Sequence, residues 1–290
     1  MSQATVQRLQ ELARSARMLA IIGASIKLRS VEGCTVDAAI RAEIEHGSSL
    51  ALREASAGIE GADPAELLRI VEMALVESSD LFNNAGRPSG WSVTDTTKLE
   101  AMGRASSSAF DRILALAETR PALARSLSGR FLDVGTGVGG IALRAAEICP
   151  DLQVEAIDIW APALRIAEQW VAASPHAQRI QLRDLDVGHL DTAPRFTLAW
   201  LPTMFLPRPT VQKAVERIAL ASLSGAWLVA SLYTIPAEPF TATTSRLRTL
   251  RGGGEIMDPL ELTELLRLHG YVDVEVDSTP IATFVFGRLP

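Results

Sequence analysis

Two hydrophobic periods divide this chain. Up to about residue 90, apolar side chains recur every three to four positions, over 6–28, 36–44, 50–59 and 67–81, the repeat that places them on one face of a helix. Turn formers interrupt the pattern at Glu32-Gly33, at His46-Gly47 and from Gly61 to Pro64, so the expectation is an all-helical N-terminal domain over 1–94. Further on, strand-like apolar runs at 131–134, 153–159, 179–186, 195–202 and 225–233 alternate with helical patterns, among them 140–149, 210–222 and 259–269. Such alternation predicts a mostly parallel sheet with helices on both faces. The last two strand patterns, 271–277 and 281–287, are separated only by the few residues around Ser278-Thr279-Pro280. A connection that short can join only antiparallel strands.

The stretch Phe131-Leu132-Asp133-Val134-Gly135-Thr136-Gly137-Val138-Gly139-Gly140 is an apolar strand that stops in a glycine-rich turn and runs directly into a helix. Nucleotide-binding α/β folds hold their ligand at that turn, where a Cβ would block the approach of the backbone. Gly135, Gly137 and Gly140 satisfy Gly-x-Gly-x-x-Gly, and Asp158 closes the second strand where an acid accepts hydrogen bonds from ribose hydroxyls. A dinucleotide and S-adenosylmethionine both use this geometry. Asp133, two residues before the first glycine, and Gly139, which completes Asp-x-Gly-x-Gly-x-Gly, favour the second. S-adenosylmethionine carries a sulfonium and an ammonium and no phosphate, so a carboxylate at the turn attracts it; the same group would repel a pyrophosphate.

This stretch resembles motif I of class I S-adenosylmethionine-dependent methyltransferases, and the resemblance runs roughly from Thr96 to the C-terminus. It implies an α/β, Rossmann-like seven-stranded sheet with an antiparallel C-terminal strand pair, forming a cofactor domain over 95–290. It also implies an acid at the end of the third strand for the adenine amine: Asp186, with Asp184 as the alternative. Ile159 beside the ribose acid and Leu201 in the fourth strand complete the expected cofactor set. Trp160 suits an adenine face or core packing equally well. Upstream, 99–110 is similar to the Ala-Met-x-x-x-Ser helix of small-molecule O-methyltransferases of secondary metabolism, which puts Met102 against the cofactor. The same residues also read as one helix face made of Leu99, Met102, Phe110, Ile113 and Leu116. The fourth strand ends in Leu201-Pro202-Thr203-Met204-Phe205, unlike the Asn/Asp-Pro-Pro-Tyr/Phe of enzymes that methylate amines on nucleic acid bases, which argues against a nucleic acid partner. By analogy with the family, the N-terminal helices cover the substrate and form a homodimer.

The family's small-molecule O-methyltransferases commonly place a histidine just after the fifth strand, and here that region is Ser231 to Pro236, without one. His46, His176, His189 and His269 read as surface or helix-end residues, so no catalytic base is assigned. Asp80, Asn83 and Asp95 are substitutes. Phe82, Trp91, Trp200, Met204, Phe205 and Tyr233 are expected to line an apolar acceptor pocket, with Trp91, Met204, Phe205 and Tyr233 as the substrate residues. The Thr/Ser-rich, glycine-ended tract 238–254 reads as a mobile loop beside it.

Composition narrows the partners. A net charge of −6 over 290 residues gives no basic footprint for nucleic acid or an anionic membrane. Met18 to Ala24 is far too short an apolar run to span a bilayer. Cys34 and Cys149 are too few and too far apart for a disulfide framework or a metal site, which suits a reducing cytoplasm and a metal-free site. The expectation is an enzyme that transfers methyl groups from S-adenosylmethionine to a small molecule. Its rivals are an NAD-dependent oxidoreductase and a non-catalytic binding module on the same fold.

Overall fold

The computed structural model describes residues 3–30, 37–54 and 64–290, and Cys34 with the expected breaks at Glu32-Gly33 and 61–63 lies outside them. The contacts divide the chain into two units, Met1–Gly86 and Arg87–Pro290. The N-terminal unit has three helices among its described residues, α1 (Gln3–Ser30), α2 (Ala38–Glu54) and α3 (Pro64–Asn83). Their apolar faces meet at Ile22, Ile26, Ala51 and Val71, with Met18, Leu52, Leu67 and Leu68 packed around them. α2 passes unbroken through His46-Gly47, where the sequence predicts a stop. A Cβ at Gly47 would lie 3.2 Å from Ile21 Cγ2, so the glycine serves the close approach of α2 to α1 and not a turn.

The C-terminal unit is built on strands β1 (Arg130–Val134), β2 (Gln153–Asp158), β3 (Ile180–Asp184), β4 (Phe196–Pro202), β5 (Ser222–Tyr233), β6 (Val272–Ser278) and β7 (Ala282–Arg288). They form one sheet in the order β3-β2-β1-β4-β5-β7-β6. Only β7 opposes its neighbours, pairing antiparallel with β5 and β6, as the short 278–281 connection requires. Helices α4 (Thr96–Ser106), α5 (Ser108–Glu118), α6 (Pro121–Ser126), α7 (Gly140–Ile148), α8 (Ala161–Ala173), α9 (Arg208–Ala221), α10 (Pro239–Gly252) and α11 (Pro259–Leu268) complete it.

Alternate residues of the central strands feed two cores. Leu198 and Trp200 join Phe110, Phe131 and Ile141 in one. Ala199 and Leu201 join Val211, Ile218 and Leu266 in the other. Strands buried on both faces explain why these runs are apolar without alternation in the sequence.

Two expectations about local structure fail. The single helix expected through 99–116 breaks at Ser107, because Ser106, Ser107 and Ser108 each donate a hydroxyl hydrogen bond to the carbonyl three residues back, in competition with the helix ladder. Leu99 therefore packs in a small core with Val138, Ala163 and Ile166, while Phe110, Ile113 and Leu116 enter the large one. The tract 238–254 is not a loop: Glu238 caps α10 through the amides of Phe240 and Thr241, Pro239 begins the helix, and Gly253 ends it at φ +91°, each a residue suited to its position.

Candidate functional site

The C-terminal ends of β1, β2 and β3 carry the charged part of the site. β1 leads into a turn in which Gly135, Gly137 and Gly139 all take positive φ, at 67°, 58° and 86°, a conformation that costs other residues energy. The Gly135 and Thr136 amides donate to the Ile157 carbonyl at 2.8 and 3.1 Å, tying the turn to β2. A Cβ at Gly137 would meet nothing within 4 Å, so this turn presents open backbone. A Cβ at Gly140 would overlap the Gly103 carbonyl oxygen; here the glycine lets α4 lie directly on α7, with Gly103 against Val138 of the turn and Met102, next to Gly103 in the chain, half-buried.

Asp133 is fully buried. Its Oδ2 accepts the Thr136 hydroxyl at 2.7 Å, and its Oδ1 is buried without a hydrogen-bond partner. Burial pushes its pKa up to about 7 and the Asp158 charge adds to the rise, against the opposite pull of the Thr136 hydroxyl and the Ala142 amide. Asp158 Oδ2 accepts the Gly137 amide at 2.7 Å and Oδ1 accepts the Trp160 amide at 2.8 Å, which fixes the carboxylate and leaves each oxygen a further lone pair. Burial raises the Asp158 pKa, backbone amides oppose the rise, and Asp184 adds repulsion. Asp184 is the direct cross-strand partner of Asp158. Asp186 lies two residues beyond the strand, exposed, with its carboxylate accepting the Gly188 amide at 2.7 Å. The strand ends at Asp184, so the expected 179–186 strand is shorter than its pattern, and the two acids occupy different structures.

An aromatic wall stands beside this acidic edge. Pro202 abuts the glycine turn, its Cγ lying 3.3 Å from where a Gly135 Cβ would be, and the following turn Thr203–Phe205 carries Met204 and Phe205. Phe205 meets Trp91 edge-on at 5.4 Å and Tyr233 at 5.9 Å. The Arg248 guanidinium lies over the Tyr233 ring at 4.1 Å. Edge-to-face and cation–π contacts of this kind fix ring orientation as well as burying area. Met204 is buried, with its sulfur 3.4 Å from the Ser231 hydroxyl.

Several expected residues lie elsewhere. Trp200 is buried against Phe284 in the large core and lines no site. Leu201 is fully buried in the other core, which leaves only its backbone to the edge of the sheet. Ile159 is 65% exposed next to Asp158, an apolar surface facing solvent. Phe82, Asp80, Asn83 and His46 belong to the N-terminal unit. Asp95 caps α4 through the Lys98 amide. His176 contacts Arg179, His189 closes the turn after Asp186, and His269 ends α11 before Gly270, so these three are turn and helix-end residues as the sequence predicts. Among the described residues no group of acids, histidines and cysteines has the arrangement of a metal site, and no helix is long and apolar enough to cross a membrane.

Three participants escape the sequence reading. Thr136 is one, although its position three residues after Asp133 places its hydroxyl on that acid. The second is the hydrogen-bonding role of Trp160, a residue the sequence offers only to an adenine face or to core packing: it holds Asp158 through its amide, and its indole N–H donates to the Val93 carbonyl at 2.7 Å. Arg248 was hidden in the tract expected to be a loop.

A family model described as a methyltransferase domain matches residues 131–222, which span the glycine turn, both strand-end acids and the start of the aromatic wall. The C-terminal unit has the fold of a class I methyltransferase domain. The whole chain resembles in fold an O-methyltransferase family protein from Burkholderia thailandensis, at 14% identity and TM-score 0.65, covering 100% of this chain and 98% of that one. It also resembles human N-acetylserotonin methyltransferase in complex with SAM, at 15% identity and TM-score 0.58, covering 100% and 98%. A stretch of 67 residues is 37% identical to a Vibrio campbellii tRNA1(Val) (adenine(37)-N6)-methyltransferase, covering 23% of this chain and 28% of that relative. The chain thus spans well under half the length of the curated relatives it matches, at most 40%.

Proposed function

We propose that this chain binds S-adenosylmethionine at the glycine turn and transfers its methyl group to a small-molecule acceptor held against Trp91, Met204, Phe205 and Tyr233. The observation that carries this reading is the unpartnered, buried Oδ1 of Asp133 beside a turn of open glycine backbone. A buried carboxylate with one oxygen left unpaired is costly and suits a cationic ligand; for a pyrophosphate, the acids Asp133, Asp158 and Asp184 would oppose what the backbone amides of the turn offer. That distinction disfavours a dinucleotide.

In this reading the Asp158 carboxylate, held by two backbone amides, receives the ribose hydroxyls, and the exposed Ile159 side chain covers one adenine face. Asp184 or Asp186 accepts the adenine amine, and Met102 closes the turn from α4. The cofactor, when bound, supplies an activated methyl group on a sulfonium. The chain's contribution is then chiefly orientation, in which holding the acceptor atom in line supplies several kcal/mol of the barrier. No histidine stands at the end of β5, where Tyr233 lies, which suits N- or C-methylation, or O-methylation of an already acidic hydroxyl, as well as O-methylation with a base from another residue. The β4 end, Leu201-Pro202-Thr203-Met204-Phe205, lacks the Asn/Asp-Pro-Pro-Tyr/Phe signature, which favours a small acceptor over a nucleic acid base.

Calorimetric titration of the purified protein with S-adenosylmethionine, S-adenosylhomocysteine and NAD tests the reading. Micromolar binding of the first two and none of NAD is expected. Binding of NAD alone would reverse the assignment of Asp133, and silence from all three would leave a non-catalytic module.

A further inference from the structure

Segment 87–95, which precedes α4, has no regular secondary structure, yet it is anchored at three places. Its Ser89 hydroxyl donates to the Leu250 carbonyl near the end of α10 at 2.7 Å, and a Cβ at Gly253 would come within 2.9 Å of Gly90 Cα. Trp91 packs edge-on against Phe205. Val93 accepts the Trp160 indole N–H. The segment therefore touches the helix over Tyr233, the turn after β4 and the shelf that ends β2, and the residue on that shelf is Trp160. The amide of Trp160 holds Asp158 Oδ1 at 2.8 Å while its ring holds Val93 at 2.7 Å. Trp160, Trp91 and Val93 also pack on one small core together with Val138 of the glycine turn.

We propose that Trp160 is a positioning residue that transmits occupancy of the Asp158 shelf to the acceptor wall through Val93 and Trp91. The inference rests on the assignment of Asp158 to the ribose. A ligand bound to that carboxylate and against Ile159 orders the Asp158–Trp160 backbone, and an ordered indole holds Val93 with less remaining entropy to lose. Binding at one place then lowers the cost of ordering the other, with no large movement required. The consequence is an order of events: the acceptor wall takes its final form after the nucleoside side is filled.

Trp160→Phe keeps an aromatic ring in the small core and deletes only the indole N–H. The test compares hydrogen exchange of the amides in 87–95 with and without S-adenosylhomocysteine, in the wild type and in this variant, alongside calorimetric affinity for the same compound. In the wild type, the ligand is expected to slow exchange in 87–95 by about fivefold or more, the signature of a segment stabilised through coupling. In Trp160→Phe that protection should disappear at saturating ligand, because only the indole N–H to Val93 is lost while the Asp158 bonds come from the backbone; the calorimetric affinity of the variant sets the concentration at which its site is filled. Protection of 87–95 that persists in the variant overturns the role of Trp160. Protection in the wild type confined to the glycine turn and to 158–160 overturns the coupling itself, and needs no variant. Absence of any binding to the wild type would instead defeat the cofactor assignment on which the inference stands.

Discussion

Asp133 makes a prediction specific to one carboxyl group. Its pKa in the free protein stands at about 7, raised chiefly by burial, well above the ordinary carboxylate range. A group whose folded pKa is raised stabilises the fold fully below its unfolded value and loses that contribution as pH rises through about 7. Asp133→Asn should therefore make the free protein more stable than wild type at pH 8, with the difference shrinking toward pH 5, as thermal denaturation at both pH values will show. Binding has the opposite sign. A cationic ligand favours the ionised carboxylate, so wild-type affinity for S-adenosylmethionine should strengthen from pH 6 to pH 8, at most about tenfold per pH unit for a single proton. Asp133→Asn should bind more weakly and lose that slope, and an unchanged slope would remove Asp133 from the site. At Asp158, truncation to Ala removes the acceptor of two backbone amides and of the proposed ribose bonds. Affinity should fall by about two orders of magnitude, as expected for hydrogen bonds to a charged group, with a cooperative unfolding transition retained; calorimetry and circular dichroism read the two effects separately.

Two contacts between elements carry consequences of their own. Glu155 of β2 is only 3% exposed; its carboxylate bonds Arg183 of β3 and, at 3.0 Å, Arg195 at the start of β4. Burial alone would raise its pKa, but the two guanidiniums outweigh burial and hold it below the usual range. A lowered pKa means stability present above the carboxylate range and lost as pH falls through the folded value. Glu155→Ala would take the buried anion away from two partly exposed arginines, whose guanidiniums stay in reach of water, and should cost about 1–3 kcal/mol, measured by urea denaturation at neutral pH, with the difference from wild type narrowing in acid. The α4–α7 contact is equally restrictive, because a Cβ at Gly140 would meet backbone at Gly103 and not a side chain that can turn aside. Gly140→Ala should cost at least about 1–3 kcal/mol by overpacking and should weaken cofactor binding further by displacing Met102; an affinity equal to wild type would show that α4 does not contribute to the site.

At the scale of the molecule, the two units have separate cores: Ile22, Ile26, Ala51 and Val71 in the first, and the two cores flanking the sheet in the second. A fragment spanning 87–290 should accordingly fold cooperatively, and if the cofactor residues are as assigned, all of them in this unit, it should retain micromolar binding of S-adenosylhomocysteine. A fragment that unfolds or binds nothing would mean that the N-terminal helices complete the methyltransferase domain. We propose for those helices the cover and dimerisation role that the family resemblance implies, and the oligomeric state by light scattering is its direct test.

The sequence by itself determined the order of strands and helices, the parallel sheet with its reversed last strand, and the glycine turn with Asp133 and Asp158, because these depend on local periodicity, on connection length and on backbone freedom at fixed spacings. What it left open turned on distance across the fold. Leu201 and Trp200 are adjacent to the strand end yet point into opposite cores, a matter of strand facing that an unbroken apolar run does not reveal. Gly47 reads as a stop and serves as a contact, since only the neighbouring helix decides which. The tract 238–254 carries both loop composition and helix caps, and packing under Tyr233 and Phe205 selected the helix. The bond from Trp160 to Val93 joins positions 67 apart, and no pattern along the chain encodes a bond that exists only because the sheet brings its strand ends to one edge.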